Sequence, residues 1–230
     1  MKAVILAGGM GTRLGGITKT IPKPMVGIDG KPLLERMILH LKRHGFTDIV
    51  ICTYHLADRI RAHFGDGAAF GVRIEYSQES EPLGTGGALK NAAPLLDGPF
   101  LLLLGDLVVG MDLERLVAFH REKKALGTLT VHRSSHPHDS DIIEVAPDGS
   151  ITRFLGKPKP SQRFTNIANA GVYCFEHSIL NYFPDGKSML DKEVLPSVLE
   201  RGGRLFAYMT DEEVSDIGTA ERLSRYTVKR

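Results

Sequence analysis

The chain has 230 residues, 42% of them apolar and 24% charged, which is the composition of a soluble globular protein large enough to bury a sizeable core. Its 29 basic and 27 acidic residues leave a formal net charge of +2, so the sequence offers no broad charged surface for nucleic acid or for a membrane. It begins without a charged-then-apolar leader, and no apolar run reaches the ~18 residues that cross a bilayer. We therefore expect a cytoplasmic protein.

The first predicted strand, residues 3–6, runs into a loop that contains Gly8, Gly9 and Gly11. Because glycines have no Cβ atoms, the backbone N–H groups of such a loop can approach phosphate oxygens. Arg13 follows and supplies a planar guanidinium group that is permanently charged, and Lys23 lies between two prolines. The segment is therefore predicted to bind a nucleoside triphosphate. The predicted contacts are Leu6, Ala7, Gly8, Gly9, Gly11, Thr12, Arg13 and Lys23.

Three other interpretations of this loop are less consistent with its residues. A dinucleotide-binding fingerprint requires glycine at position 14, where the chain has Leu14. A P-loop requires Gly-Lys followed by Ser or Thr, which does not occur here. A plain glycine turn without a ligand needs neither Arg13 nor Lys23.

The next elements predict a layered α/β fold. A helix opens at residues 31–32 and stops at Gly45, and it is followed by a strand at 48–53, a helix at 55–64 and a strand at 72–76. Strands that alternate with helices indicate a mostly parallel or mixed sheet covered by helices on both faces. Such folds bind ligands at the carboxyl ends of the strands, where the glycine-rich loop falls.

A second glycine-rich segment, residues 78–89, again follows a strand and precedes a helix. It could serve only as a capping turn. Its clustered glycines beside Gln78 and Glu79 favour a flat base that lies against bare backbone and is recognised at its edge. Gln78, Gly84 and Thr85 are therefore predicted to contact the nucleotide, although glycine spacing does not itself identify the base.

The most apolar strand, residues 100–104, is predicted to be central and ends at Gly105 and Asp106. Gly105 is assigned to the nucleotide and Asp106 to a metal. Asp106 could instead cap the next helix, but Asp112 is better placed for that role. Since Mg²⁺ is usually held by one or two carboxylates plus substrate phosphates, Asp216 is the candidate partner. Sequence distance alone does not bring the two aspartates together.

After Gly127 the pattern changes to short strands at 128–131, 142–145, 151–154 and 170–175, which predicts an antiparallel or mixed extension. A helix at 188–200, a strand at 204–209 and a final helix from 219 follow, with Asp191 and Glu193 interpreted as surface or supporting acids.

Two groups of potentially reactive residues have simpler interpretations. His132, His136 and His138 suggest a metal site, but a solvated loop is favoured because no second ligand cluster has a known spacing. Cys52 and Cys174 lie in apolar runs and are interpreted as small buried hydrophobic residues, in preference to a disulfide, a metal pair or a nucleophile.

The segment Leu-Ala-Gly-Gly-Met-Gly-Thr-Arg-Leu, together with Pro-Lys-Pro-Met at 22–25, resembles the signature of the sugar-1-phosphate nucleotidyltransferases. The resemblance covers nearly the whole chain. It implies a Rossmann-like, GT-A-like α/β fold in one domain, with residues 1–125 mainly binding the nucleotide and 126–230 mainly binding the sugar phosphate. It also implies that Asp106 and Asp216 bind Mg²⁺ together.

The resemblance also implies the contacts of the acceptor. Lys157 resembles the lysine of the family's Glu-Lys-Pro motif, although Gly156 stands where the family commonly has glutamate. Asn169 and Gly171 match an Asn-x-Gly segment that contacts sugar hydroxyls. The implied sugar-phosphate contacts are Asp106, Glu144, Lys157, Asn169 and Gly171, with Asp139 and Asp141 lining the pocket. Arg13, Lys23 and Asp106 are the implied catalytic residues.

The implied reaction transfers a nucleoside monophosphate from an NTP to a sugar 1-phosphate. The segment Glu-Pro-Leu-Gly-Thr-Gly-Gly resembles the corresponding segment of guanylyltransferases. The segment Ser-His-Pro-His-Asp-Ser-Asp resembles that of the heptose-1-phosphate guanylyltransferase branch. GTP with manno-heptose 1-phosphate is therefore favoured, then mannose 1-phosphate, then a UTP-dependent transfer. A silent nucleotide-sugar sensor predicts loss of a key charged residue, yet Arg13, Lys23, Asp106 and Asp216 are all present. The oligomeric state stays open, a homodimer included.

Overall fold

A sheet of nine strands organises the part of the chain that the structure describes. The structure is a computed structural model, and it describes residues 1–158 and 164–227, apart from the side chains of Thr12, Arg13, Ile17, Lys19 and Thr227. The strands in these ranges are β1 (Lys2–Leu6), β2 (Gly27–Ile28), β3 (Lys31–Pro32), β4 (Asp48–Thr53), β5 (Arg73–Gln78), β6 (Phe100–Leu104), β7 (Leu107–Val109), β8 (Gly127–Arg133), β9 (Ile142–Val145), β10 (Ile151–Gly156), β11 (Ile167–Phe175), β12 (Leu205–Met209) and β13 (Val214–Asp216). The α-helices are α1 (Leu33–Arg43), α2 (Ala57–Phe64), α3 (Gly84–Ala92), α4 (Leu113–Lys123), α5 (Leu195–Glu200) and α6 (Ala220–Thr227).

The first half of the sheet is parallel. β1 lies between β4 and β6, and β5 pairs with β4, with all three pairings parallel. The central residues of β1, β4 and β6 are buried, which is why these strands read as continuous apolar runs. Their carboxyl ends meet at one edge of the sheet, where the sequence predicts the ligand.

The second half joins the same sheet in the antiparallel direction. β11 pairs with β6 through residues 172–175, and its opposite edge pairs with β8. β12 extends β8 in parallel, while β9 and β10 continue beside the start of β11. The mixed extension predicted after Gly127 is confirmed, and one sheet spans both halves of the chain.

Helices cover both faces of the sheet, as predicted. Val4 packs in a core with residues of α3 and α5, whereas Ala3 and Ile5 pack in a core with residues of α1, α2 and α4. Cys52 and Cys174 are free thiols buried in these two cores, and burial raises the pKa of each, so both behave as the small hydrophobic residues predicted. Within the described ranges, no helix is long and apolar enough to cross a membrane.

Two predicted helix starts are wrong by two residues. α1 begins at Leu33 because residues 31–32 pair with β2 as the short strand β3. α2 begins at Ala57 because Leu56 takes a left-handed conformation with φ of 53°, which ends the preceding turn.

The single helix predicted over residues 188–200 is also wrong. The segment contains a π-helical turn, Leu190–Val194, followed by α5. Pro196 has no N–H with which to continue an α-helical ladder, and the N–H of Leu195 instead donates to the carbonyl of Leu190. The predicted cap of α4 is confirmed, because the Asp112 carboxylate accepts hydrogen bonds from the N–H groups of Glu114 and Arg115 at 2.9 and 3.1 Å.

Candidate active site

A cavity of about 380 Å³ opens at the carboxyl ends of β1 and β6. We call it the glycine cavity, because backbone of the loop at residues 8–11 and the start of α3 form much of its wall. The residues predicted to contact nucleotide that line it are Leu6, Ala7, Gly8, Gly9, Gly11, Lys23, Gly84, Thr85 and Gly105. Two glycine-rich segments separated by more than 70 residues therefore face one space.

Glycine is required at two points of this wall for different reasons. Gly11 has a φ of 64°, a left-handed conformation from which the 3-10 helix Thr12–Lys19 begins. A Cβ atom at Gly105 would lie only 2.5 Å from the carbonyl oxygen of Leu6. The end of β6 can pass against β1 only because residue 105 has no side chain.

A partly buried ion pair lies at one end of the glycine cavity. Lys23 donates a hydrogen bond from Nζ to Oδ2 of Asp106. The Lys23 side chain is only 9% exposed, so its charge acts in a medium that screens poorly. The pair sets a cation and a carboxylate side by side, which suits a site that binds both phosphate and a metal ion.

A second cavity, of about 550 Å³, adjoins the first and shares Leu104 and Asp106 with it. We call it the polar cavity, because charged and amide side chains dominate its wall. Four of the predicted acceptor and metal residues in its lining are Lys157, Asn169, Gly171 and Asp216, and Asp139 and Asp141 line it as well. Asp106 is therefore the point at which the two cavities meet.

A two-stranded ribbon that the sequence did not predict brings Asp106 and Asp216 to the same cavity. β7 and β13 pair antiparallel, with Asp216 opposite Leu107. The N–H of Ile217 then donates to the carbonyl of Asp106 at 2.9 Å. Residues that lie 110 positions apart in the chain are held side by side by backbone hydrogen bonds.

The surroundings of Asp216 favour the ionised form of its carboxyl group. Burial raises its pKa, but a hydrogen bond from Arg222, another from the N–H of Gly218 and the nearby charge of Lys23 together lower the pKa below its ordinary value. The hydrogen bond from Arg222 is at the same time an ion pair. A negative group of this kind can accept a divalent cation in place of the guanidinium.

The donor set fits Mg²⁺ bound together with substrate. The described residues contain no cluster of three or more His, Cys, Asp or Glu side chains able to hold a metal by themselves. Mg²⁺ is commonly held by one or two carboxylates and completes its shell with phosphate oxygens and water. Asp106 and Asp216, which both line the polar cavity, are two carboxylates able to fill this role.

A hydrogen-bonded cluster forms one wall of the polar cavity. Asn169 Nδ2 donates to the Tyr173 hydroxyl and to Oδ1 of Asp191, both at 2.8 Å, and the Tyr173 hydroxyl donates to the same oxygen at 2.9 Å. Burial raises the pKa of Asp191 to about 6, although the hydrogen bonds from Tyr173 and Asn169 act in the opposite direction. Asp191 lines the cavity, and the pattern of its neighbours in sequence did not indicate that position.

Some predicted contacts lie elsewhere. Gln78 is exposed and is not among the residues that line the glycine cavity, whereas its neighbour Glu79 is buried and lines it. Glu144 is on β9 and is not among the lining residues of the polar cavity. The side chains of Thr12 and Arg13 lie outside the described part of the chain. The roles of these residues stay predictions.

His132 and His136 also line the polar cavity, beside Arg133. Burial lowers the pKa of His132, which favours the neutral ring. Three further residues line one of the two cavities: Tyr54, Met189 and Arg222. No sequence signal could have identified them, because each occurs in a pattern that is ordinary for a turn or a helix surface.

A mixed α/β sheet with a glycine-lined cavity at its carboxyl edge is typical of proteins that bind phosphorylated nucleotides. The chain belongs to the nucleotidyl transferase family, whose sequence profile matches residues 2–229. The family resemblance and the fold predicted from the sequence are thereby confirmed.

Relatives within this family differ in the base they use. The chain is 37% identical to a UTP–glucose-1-phosphate uridylyltransferase of Synechocystis sp., with 95% of this chain and 60% of the relative covered. It is 34% identical to a mannose-1-phosphate guanylyltransferase of Mycobacterium tuberculosis, with 97% of this chain and 62% of the relative covered. The chain thus spans about three fifths of the length of these curated relatives.

A solved structure matches almost the whole chain. The crystal structure of HddC from Yersinia pseudotuberculosis, complexed with GMP-PN, superposes with a TM-score of 0.83 at 27% identity. The match covers 98% of this chain and 97% of HddC. The similarity therefore extends over both cavities and is not confined to the glycine-rich segments.

Proposed function

We propose that the protein transfers a nucleoside monophosphate from a nucleoside triphosphate to a sugar 1-phosphate and releases pyrophosphate. The observation that carries this proposal is the meeting of two cavities at Asp106, one walled by glycine backbone and the other by polar side chains. A triphosphate in the first cavity and a phosphorylated acceptor in the second would bring their phosphates together at this residue.

The chemistry requires positioning and charge neutralisation more than proton transfer. An oxygen of the acceptor phosphate forms a bond to the α-phosphorus of the triphosphate, and the bond from that phosphorus to the pyrophosphate oxygen breaks. The acceptor phosphate is already ionised at neutral pH, so the residues need supply no general base. Lys23 then neutralises the nucleotide phosphates and Lys157 the acceptor phosphate, while Arg13 holds the departing pyrophosphate.

Asp106 and Asp216 are proposed to hold Mg²⁺ in this site. A divalent cation bound there supplies positive charge to the phosphate oxygens on which negative charge grows. The ribbon of β7 and β13 brings the two residues together, and each carboxylate pairs with a basic side chain, Lys23 or Arg222. Cation binding would release both basic side chains to face the substrate phosphates.

GTP with a manno-configured heptose 1-phosphate is the favoured substrate pair, and mannose 1-phosphate is the next acceptor. The guanine nucleotide in the HddC crystal structure and the mannose-1-phosphate guanylyltransferase from Mycobacterium tuberculosis support GTP. The Synechocystis relative supports a second candidate, a UTP-dependent transfer to a hexose 1-phosphate. We place the reaction in the cytoplasm, and a homodimer remains a prediction.

Pyrophosphate release tests the proposal directly. The purified chain is incubated with Mg²⁺, each of the four common NTPs and each of three acceptors: manno-heptose 1-phosphate, mannose 1-phosphate and glucose 1-phosphate. We expect acceptor-dependent pyrophosphate together with an NDP-sugar of the matching mass. Pyrophosphate that does not depend on any acceptor, or no pyrophosphate with any pair, would contradict a transferase.

A further inference from the structure

Arg222 occupies the side of Asp216 that a bound cation would need. Of the two carboxylate oxygens, Oδ1 accepts a hydrogen bond from the N–H of Gly218 at 2.8 Å. Oδ2 accepts a hydrogen bond from Nη1 of Arg222, which is also the ion pair between the two side chains. Because the backbone already holds Oδ1, a divalent cation and the guanidinium would compete for Oδ2.

The two carboxylates of the proposed metal site are paired with basic side chains of different exposure. Lys23 is only 9% exposed and lies between two prolines, whereas the Arg222 side chain is 38% exposed. An ion pair near the surface contributes little free energy, because water screens it and two side chains must be ordered to form it. Arg222 is therefore the basic side chain that a cation displaces at the smaller cost.

The backbone at Arg222 is anchored on both sides. Its N–H donates to the hydroxyl of Thr219 at 3.2 Å. The next residue, Leu223, is buried in a small core that also contains Val108 and Ile217, from the ribbon and from the residue after Asp216. We therefore expect α6 to stay in place when the ion pair breaks, so that only the guanidinium changes position.

A released guanidinium would remain within the polar cavity. Arg222 lines this cavity together with Lys157, the residue proposed to neutralise the acceptor phosphate. The pKa of Arg222 is raised first by its hydrogen bond to Asp216 and to a smaller degree by the charge of Asp139, which lines the same cavity. A planar guanidinium can donate two parallel hydrogen bonds to one phosphate, so the phosphate of a bound acceptor is the ligand group that suits it best.

We propose that Arg222 couples cation binding to acceptor binding: it pairs with Asp216 in the metal-free protein and binds the acceptor phosphate once a divalent cation holds Asp216. The inference rests on the proposed function, in that Asp216 binds the cation and the polar cavity binds the sugar phosphate. It deepens that proposal by naming a second phosphate-binding residue. The two ligands then bind cooperatively, and each raises the affinity for the other by the same factor.

The first test measures metal binding without any substrate. Titration with Mn²⁺, followed by the electron paramagnetic resonance signal of the free ion, gives the affinities of wild type and Arg222→Gln. The variant lacks the competing guanidinium, so we expect it to bind Mn²⁺ about two- to fivefold more tightly, the scale of one exposed ion pair. Arg36→Gln breaks an ion pair of similar exposure, with Asp29, outside both cavities and should bind Mn²⁺ as wild type does.

The second test measures acceptor binding by calorimetry, without nucleotide, so that no turnover occurs. The three acceptors of the pyrophosphate assay are titrated into each protein, once with excess Mg²⁺ and once with EDTA. With Mg²⁺, Arg222→Gln should bind the preferred acceptor about 10- to 100-fold more weakly than wild type, because it lacks a charged hydrogen bond to phosphate. With EDTA the two proteins should differ by less than about threefold, because Asp216 holds Arg222 in the wild type.

Arg222→Lys separates the charge of the side chain from its shape. The ammonium group keeps the positive charge beside Asp216, so this variant should bind Mn²⁺ with nearly the affinity of wild type. It should recover only part of the acceptor affinity lost in Arg222→Gln, because an ammonium group does not form a bidentate contact with phosphate.

Tighter metal binding together with weaker acceptor binding is the result expected of Arg222→Gln, since damage to the fold would lower both affinities. The inference is overturned if this variant binds Mn²⁺ no more tightly than wild type, or if it binds the acceptor equally well in Mg²⁺. A wild-type chain that binds none of the three acceptors would contradict the transferase proposal, while the Mn²⁺ titration would still decide whether Arg222 competes at Asp216. If neither protein binds Mn²⁺, both the proposed metal site and the coupling are wrong.

Discussion

The two cavities that meet at Asp106 are walled by different parts of the protein. The glycine cavity is walled mainly by backbone at the ends of parallel strands, with Lys23, Glu79 and Asp106 as its charged side chains. The polar cavity is walled by side chains drawn from the antiparallel extension and from α6. Backbone amides suit a phosphate group common to all nucleotides, whereas side chains can be exchanged to suit one sugar. From this difference we propose that the choice of acceptor depends mainly on side chains of the second half of the chain.

Substitution of Asp106, the residue at which the two cavities meet, is expected to have the largest effect on activity. Asp106→Asn keeps the shape of the side chain but removes the negative charge that both cavities share. We expect kcat to fall by about 10²-fold or more, the scale of losing one oriented electrostatic contact in a transition state. Steady-state pyrophosphate release measures the change.

Asp185→Asn is the matched control for this prediction, since Asp185 is an exposed aspartate outside both cavities. It should retain wild-type turnover. A thermal melt of Asp106→Asn checks that the fold is intact. Near-normal turnover of a folded Asp106→Asn protein would remove Asp106 from the proposed site.

Two glycine substitutions in the wall of the glycine cavity test its roles in folding and in binding separately. In Gly105→Ala the new methyl would meet the Leu6 carbonyl at 2.5 Å, so we expect the free energy of unfolding to fall by about 1–3 kcal/mol, as for other overpacked sites. In Gly9→Ala the methyl meets no atom within 4 Å, so stability should stay within about 0.5 kcal/mol of wild type.

Gly9→Ala should nevertheless bind GTP more weakly, because its methyl occupies space that the proposed phosphates need. Urea titration and calorimetry measure the two quantities on the same samples. If Gly9→Ala bound GTP as tightly as wild type, the loop at residues 8–11 would not be a phosphate cradle.

In the polar cavity we expect an effect of pH on stability, which arises from a single side chain. The pKa of Asp191 rises from an ordinary 3.8 to about 6 on folding, mainly because the group is buried. Between these values the folded protein binds more protons than the unfolded chain, so this group makes stability fall as pH rises. The loss is about 1–3 kcal/mol, since one pKa unit is about 1.4 kcal/mol.

Asp191→Asn removes this titration. Urea unfolding at about pH 4 and pH 7 should show that the wild type loses more stability over this range than the variant does. A wild type that gains stability relative to Asp191→Asn as pH rises would mean that Asp191 is ionised more easily in the fold than in the unfolded chain.

The sequence predicted the parallel half of the sheet and most of the glycine cavity because the signals there are local. An apolar run followed by glycines fixes a strand and the loop after it, and parallel pairing then carries the loops to a common edge. The choice between Gln78 and Glu79 depended on which one faces inward at the end of β5, and that is decided by its pairing with β4. Glycine spacing contains no information about it.

The polar cavity was harder to predict because its residues converge from remote segments. The ribbon of β7 and β13, which joins Asp106 to Asp216, consists of strands of three residues each, too short to give a periodic signal. Asp191 follows a buried leucine in what the sequence presents as an ordinary amphipathic helix. Arg222 is on the last helix, where a basic residue normally faces solvent.

The π-helical turn Leu190–Val194 has a mechanical consequence for the pair of cavities. The N–H of Leu190 is held by the Thr85 hydroxyl in the glycine cavity at 2.9 Å, and the next residue, Asp191, is held by Asn169 in the polar cavity. The peptide bond between Leu190 and Asp191 thus connects the wall of the glycine cavity to the wall of the polar cavity. A shift of α3 that moved Thr85 would therefore act through this link on Asp191 and Asn169, so the walls of the two cavities are mechanically coupled.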